Sequence, residues 1–484
     1  MKMKNLLVIL GLGGLLVLSA CEKMIGIEPR YARDGSRIFT SLQDYEFALT
    51  GAYALLRATG YYGSGGETAG TWSELPDMMG DNLVQTGEDL ANWEKQVNWE
   101  YAADEPDIAQ AWIAAYAVIA QANLTLQGID RFAQGQDQKA VNRIRGQALA
   151  IRAMVHFDLL RFWGEAYDRQ SAKLGIPYKA EVDTEARPSR LTVKQSYDRI
   201  FADLQQAETL LQQVDKAPNA GPIRAYLDLL AVQALLARIH LYAGEYAAAE
   251  SYASRVIPAL PLASKAAFPA IWQDASQEEV IWTIPFNAGE GSPAAGIHLS
   301  SVNRNRFRPA AALENAYDQA HDIRFAAYFG DRQLEGVNRR ILTKFYSRGA
   351  APDNLVNWKA IRTGEMYLIR AEARARQGEL KAQQGLADLN ALRAARIHQY
   401  VPVALAGQAL LAAIALERQK ELVAEGHRWF DLKRTTRAIN RREADLATST
   451  TTLAPGAREW TWPIPSGEMD ANPAISTQQT AGYQ

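Results

Sequence analysis

Leu241-Tyr242-Ala243-Gly244-Glu245-Tyr246-Ala247-Ala248-Ala249 reads as the turn between two helices. Before it, Tyr226 to Tyr242 sets apolar residues on one face of a 3.6-residue period. After it, Tyr246 to Val256 predicts a second helix in which Ala247, Ala248, Ala249 and Ala253 permit close approach. Gly244 is the break between the two. Glu365 to Arg376, Gly378, and Leu380 to Arg393 repeat the arrangement, so the chain is expected to be mostly α.

The first turn looks like that of a tetratricopeptide repeat. Two such helical pairs fall short of the three that a free-standing array needs, so degenerate pairs or irregular structure must complete the packing. Further helices are predicted after Ser41-Leu42-Gln43-Asp44, ending before Gly60, and over Asp107 to Leu126 and Ala140 to Trp163. Thr192 to Leu211 is another, with Thr192 and Gln195 as a capping box. A single long helix is expected from Ala409 to Lys433, with Leu416, Leu422 and Trp429 as its buried stripe. Gly426 inside that helix costs about 1 kcal/mol relative to Ala, which predicts close approach of a neighbouring backbone.

Helical periodicity lapses over residues 61–104 and 258–357. In the first stretch Tyr61, Tyr62, Trp72, Trp93 and Trp99 occur without an amphipathic period that demands their burial, and Asp81 and Asn82 offer directed hydrogen bonds. Aromatic surface with a few polar groups suits ligand recognition, so these seven residues are the candidate ligand-binding set. In the second stretch Val280 to Ile284 reads as a strand, which makes Trp272 and Trp282 weaker candidates. Asn287 to Asn305 is rich in Gly, Ser and Asn, with Asn303, Arg304 and Asn305 as further polar contacts. A loop-rich subdomain of low strand content is expected.

Lys and Arg total 52 against 54 Asp and Glu, which gives no electrostatic case for nucleic-acid binding. Lys2, Lys4, the apolar run from Leu6 and the ending Leu18-Ser19-Ala20-Cys21 form a secretory leader, too short and wrongly flanked for a durable membrane span. Cys21, the only cysteine, sits where a bacterial lipoprotein is cut and acylated. The expected organisation is a signal peptide over 1–20, a palmitoylated tether over 21–40 and a single body over 41–484 with no internal disulfide.

Glu417-Arg418-x-x-Glu421-Leu422-x-x-Glu425-Gly426-x-Arg428-Trp429-x-Asp431-Leu432-x-Arg434 resembles the signature helix of the SusD/RagB family of nutrient-binding outer-membrane lipoproteins, and Trp462-Pro463-Ile464-Pro465 with Asn472-Pro473 resembles their C-terminal ending. Arg362, Glu365, Tyr367 to Ala373, Leu389 to Arg393, and Arg152 to Gly164 agree with further family segments. The resemblance implies a SusD-like helical body, lipid-anchored in the outer membrane and exposed at the cell surface. It would capture an oligosaccharide or peptide and pass it to a SusC-like TonB-dependent transporter, without a cofactor and without chemical change.

The charged residues of the signature read as structural. Glu417, Arg418, Glu421, Glu425 and Arg428, like Glu365, Arg370, Glu372 and Arg376, have spacings that favour ion pairs along or between helices. HExxH, GxSxG and phosphate-loop patterns do not occur, and the six histidines are scattered. Two other classes stay open: a lipid-anchored glycoside hydrolase, which requires two carboxylates facing each other across a cleft, and a helical-repeat interaction scaffold. The terminal Trp460 and Trp462 are expected to pin the C-terminus to the body.

Overall fold

The structure is a computed structural model. It describes residues 39–483 apart from 66–67, 134–136, 184, 215–218, 220, 222, 300–303, 335 and 350–352. The leader and Cys21 lie outside the described residues. By its contacts the chain divides into Met1–Glu46 and Phe47–Gln484. In the first unit, Asp44 accepts hydrogen bonds from the Thr40 and Ser41 amides, both at 2.8 Å.

Among the described residues, ten helices of seven residues or more carry the frame: α1 (Leu42–Leu55), α2 (Pro106–Leu126), α3 (Gln138–Trp163), α4 (Val193–Leu211), α5 (Leu229–Tyr242), α6 (Tyr246–Ala259), α7 (Thr363–Ala375), α8 (Glu379–Arg396), α9 (Gly407–Glu421) and α10 (Arg428–Arg434). Local chemistry starts several of them. Pro106 occupies the first turn of α2, where a missing N–H costs nothing. Thr192 and Gln195 cap α4 reciprocally, as the spacing predicts, and Asp228 accepts from the Ala231 amide at the start of α5.

The helices pack as neighbouring pairs: α5 on α6, α7 on α8, and α6 on α7, with α3 set between α2 and α4. Gly244 turns the first pair at φ +76° and Gly378 the second at φ +96°, a region that an L side chain enters only at a cost. The charged residues of α7 face other helices. Glu365 receives Arg238 of α5 at 2.6 Å, Arg370 reaches Asp388 of α8 at 2.7 Å, and Glu372 receives Arg434 of α10 at 2.7 Å. At the C-terminus, Trp462 stacks on Phe162 with ring centroids 3.9 Å apart, and Trp460 lies against Trp429 at 4.4 Å.

The long helix expected from Ala409 to Lys433 is two helices, α9 and α10, and the segment between them turns through left-handed backbone at Ala424 and Gly426. A Cβ on Gly426 would lie 2.0 Å from the Trp72 carbonyl oxygen. The expected close approach is there, and it ends the helix rather than tolerating it. The carbonyls left open at the end of α9 are met by side chains from elsewhere: Tyr317 Oη donates to Lys420 O at 2.7 Å, and Lys344 Nζ to Val423 O at 2.8 Å. Leu416, expected in the buried stripe, is 41% exposed, whereas Leu422 and Trp429 are buried.

Sheets are small. Six of the strands matter here: β1 (Leu83–Gln85), β2 (Val280–Ile284), β3 (Phe307–Pro309), β4 (Phe329–Leu334), β5 (Val337–Leu342) and β6 (Trp358–Arg362). They pair antiparallel as β1 with β3, β2 with β6, and β4 with β5. The strand predicted over Val280 to Ile284 is β2, fully buried, with Trp282 in it.

Candidate ligand-binding cleft

The two aperiodic stretches are stitched to one another. Besides the β1–β3 ladder, Ser64 and Ser292 exchange backbone hydrogen bonds of 3.0 and 3.2 Å, and the Asn305 amide donates to Glu88 at 2.7 Å. Arg57 pairs with Glu290 at 2.9 Å. Glu74 is the central tie, accepting from the Gly296 amide at 2.8 Å and the Gly70 amide at 3.0 Å.

Burial raises the pKa of Glu74 from 4.5 to about 8, although both amides favour the carboxylate. Because this value lies above that of the unfolded chain, the protonated residue stabilises the fold fully below pH 4.5, and the contribution is lost as pH rises through about 8. The difference in melting temperature between the native chain and Glu74→Gln, which cannot titrate, is expected to shift against the native chain from about pH 5 to about pH 9. A difference independent of pH would refute this.

The stitching turns the first stretch inward. Tyr61, Tyr62, Trp72, Trp93, Trp99 and Asn82 are all buried. The hydroxyls of Tyr61 and Tyr62 donate to Asp158 at 2.8 and 2.9 Å, and the Trp72 indole donates to the Asp158 carbonyl at 3.1 Å. Trp99 donates to Met79 O at 3.1 Å, and Arg441 lies 4.4 Å over its ring. Trp93 packs against Phe307 of β3, while Asn82 bridges Asp77 and Gln419. The structure thus gathers six of the seven expected ligand residues beneath the surface instead of presenting an open aromatic platform. Aromatic area without a local period is buried here by partners far along the chain. Asp81 borders a cavity of about 310 Å³, where it holds Arg428 at 2.5 and 2.8 Å.

The open cleft of the loop subdomain lies in the second stretch and encloses about 530 Å³. Trp272 and Gln273 form one wall, Phe329 and Arg332 a second, and Thr343, Tyr346 and Ser347 a third. Each is set by its local fold. Trp272 follows the short helix Phe268–Ile271, Phe329 and Arg332 lie on β4, and Thr343 to Ser347 leave β5. The Arg332 guanidinium lies 5.5 Å from the Tyr346 ring centroid, and His298 packs 5.1 Å from the same ring. The Trp272 indole N–H is buried and has no acceptor. Arg332 and Tyr346 escape a reading by periodicity, because β4 and the turn after β5 carry no amphipathic pattern. Among the further polar candidates, Asn305 is buried with its side chain on Arg340 O, and Asn303 lies outside the described residues.

Behind the cleft the signature glutamates are fully enclosed. Arg362 joins Glu279 at 2.5 Å, Glu421 at 2.9 Å and Glu425 at 2.6 Å. Arg396 and Arg324 each add an ion pair of 2.9 Å to Glu421, and Lys344 meets Glu425 at 2.7 Å. Burial opposes ionisation of Glu417, but Arg324, Lys420 and Arg393 outweigh it and hold the carboxyl at about 2. These carboxylates are spoken for by arginines, and their work is to fasten the loop subdomain to α7, α8 and α9. They are fully buried pairs, where spacing alone suggested pairing along and between helices.

Comparison with known proteins points the same way at both ends of the chain. A family model described as starch-binding, associating with the outer membrane, matches residues 58–241, and one described as the SusD family matches residues 348–483. The SusD-like protein P38 of Formosa agariphila is 24% identical over 511 residues, covering 90% of this chain and 93% of that protein. A SusD superfamily protein from Bacteroides thetaiotaomicron superposes with a TM-score of 0.79 at 26% identity, covering 91% of this chain and 100% of that one. Another, from Bacteroides vulgatus, gives 0.78 at 25% identity, with coverage of 92% and 100%.

Proposed function

Because this chain belongs to the SusD/RagB family, whose members are nutrient-binding outer-membrane lipoproteins that work with SusC-type transporters, we propose that it captures an oligosaccharide in the cleft walled by Trp272, Arg332 and Tyr346. The chain is a binding protein and not an enzyme. The observation that carries the assignment is the cleft itself. Its size is that of a small-molecule site, and it joins aromatic surface to an amide, three hydroxyls and a guanidinium. Such a set packs against the apolar faces of sugar rings while its polar groups orient their hydroxyls.

In this reading Cys21 carries the lipid, residues 21–40 are the tether and residues 41–484 form the ligand-binding part. Tyr61, Tyr62, Trp72, Trp93 and Trp99 serve the ligand indirectly, by giving the loop layer a rigid interior. Asp81 and Asn82 hold that layer to α9 and α10.

Calorimetric titration of the processed chain with neutral oligosaccharides and peptides, with product analysis of every hit, tests this. Binding of an unaltered oligosaccharide is expected, weakened about tenfold or more by Arg332→Ala at unchanged melting temperature and by Tyr346→Ala with a lowered one, the size of one well-made contact. Trp72→Ala is expected to lower the melting temperature as well as binding. Binding that ignores both cleft variants would move the site elsewhere, and cleaved product would overturn the binding role.

A further inference from the structure

Three cavities of about 730, 450 and 310 Å³ open along the segment from Arg428 to Arg442, and they share walls. Arg437 borders all three, Arg428 the second and third, and Arg434 the first and second. Basic residues outnumber acidic ones on these walls by ten to six, in a chain whose formal net charge is −2.

That excess is not cancelled within the trough. Arg428 and Arg434 are engaged by Asp81 and Glu372. Arg437 and Arg442, by contrast, are exposed, and neither side chain makes a hydrogen bond to the described residues. Arg418, on the wall of the middle cavity, is 2% exposed. Its Nε reaches Asp431 at 3.1 and 3.2 Å, yet both terminal nitrogens are buried with no acceptor. Buried donors normally find partners, and the two unpaired N–H groups of Arg418, enclosed behind the wall of the middle cavity, leave part of its positive charge uncompensated there. Partial desolvation and the neighbouring Arg428 lower the pKa of Arg437 against the opposing pull of Asp81 and Asp431, and a bound anion would favour its charged form. The largest cavity also has apolar wall from Tyr167 and Trp460, on which a sugar ring can lie.

We propose that this trough is a second binding site, distinct from the cleft, for an oligosaccharide bearing carboxylate or sulfate groups. Successive acidic groups meet successive arginines, with Arg437 at the junction. The proposal rests on the nutrient-receptor reading for the ligand being a glycan. The charge pattern makes that glycan acidic.

The test uses the processed full-length chain and three probes: hexagalacturonate, a sulfated carrageenan hexamer and neutral maltohexaose, titrated at low and high salt. At least one acidic probe is expected to bind, more weakly as salt rises. The double variant Arg437→Gln/Arg442→Gln is expected to weaken it by about tenfold for each arginine removed, at unchanged melting temperature. Tyr346→Ala should leave acidic binding intact. Failure of both acidic probes overturns the proposal whatever maltohexaose does, as does acidic binding reduced by Tyr346→Ala and not by the arginine variant. Neutral binding at the cleft with a silent trough would leave the nutrient-receptor reading standing alone, so the two failures are separable. Preference between the acidic probes decides between carboxylate and sulfate.

Discussion

Arg362→Met is expected to destabilise the protein by about 3–5 kcal/mol, the cost of leaving buried charge unpaired. Arg362 is fully enclosed and touches Glu279, Glu421 and Glu425. Its loss leaves Arg396, Arg324 and Lys344 to balance those carboxylates. Burial opposes ionisation of Glu421, and Arg396, Arg362 and Arg324 together depress its pKa against that burial. Removing one of the three guanidiniums therefore presses the carboxyl back toward protonation. Lys194→Met is the control, since Lys194 pairs with Asp198 at 3.0 Å on the surface of α4 with both side chains nearly half exposed, where such pairs contribute about 1 kcal/mol or less. Urea denaturation at constant m-value measures both. Equal losses would show that the enclosed network is no more than a set of surface pairs. A partial recovery in Arg362→Met/Glu425→Gln would locate the cost in the orphaned carboxylate.

Gly426→Ala is expected to cost about 3 kcal/mol or more, because two penalties coincide. An L side chain in left-handed backbone costs roughly 1–2 kcal/mol, and forcing a methyl into filled space costs about 1–3 kcal/mol further. Gly426 has φ +75°, and its Cβ would meet the Trp72 carbonyl at 2.0 Å. Gly244 isolates the first penalty, with φ +76° and nothing within 4 Å of its Cβ position. Thermal melts of Gly426→Ala and Gly244→Ala should therefore differ by the packing term, and identical melting temperatures would refute the clash. Gly426 lies between α9 and α10, so this variant should also loosen Glu425 and the seam with the first loop stretch.

The comparison of Gly244 and Gly426 shows where sequence reading stops. Gly244 acts through its own backbone, and the turn, both flanking helices and the alanines that follow are legible as a local pattern. Gly426 acts against Trp72, and only a folded chain brings the two together. Periodicity alone joined α9 and α10 into one helix, since Leu422 and Trp429 fall on a common stripe. The break follows from a carbonyl belonging to a loop that carries no periodicity. The glutamates of the signature were likewise readable as ion-pair partners. Their partners Arg324, Lys344 and Arg362 come from the loop stretch and β6, which no i,i+4 rule relates to α9.

By itself the sequence determined the helical class, the paired helices, the capping of α4, the strand β2 and the family, because each depends on contacts a few residues apart or on a motif read in line. The tertiary structure decided which aromatics are enclosed by the loop layer and which border a cleft. The pairing of β1 with β3 and the tie through Glu74 bury Trp72 and Trp93, while Trp272 and Tyr346, themselves largely buried, border a cleft at which Arg332 is exposed. Burial of an aperiodic loop is set by whatever distant surface closes over it, and that partner is not encoded at any fixed spacing.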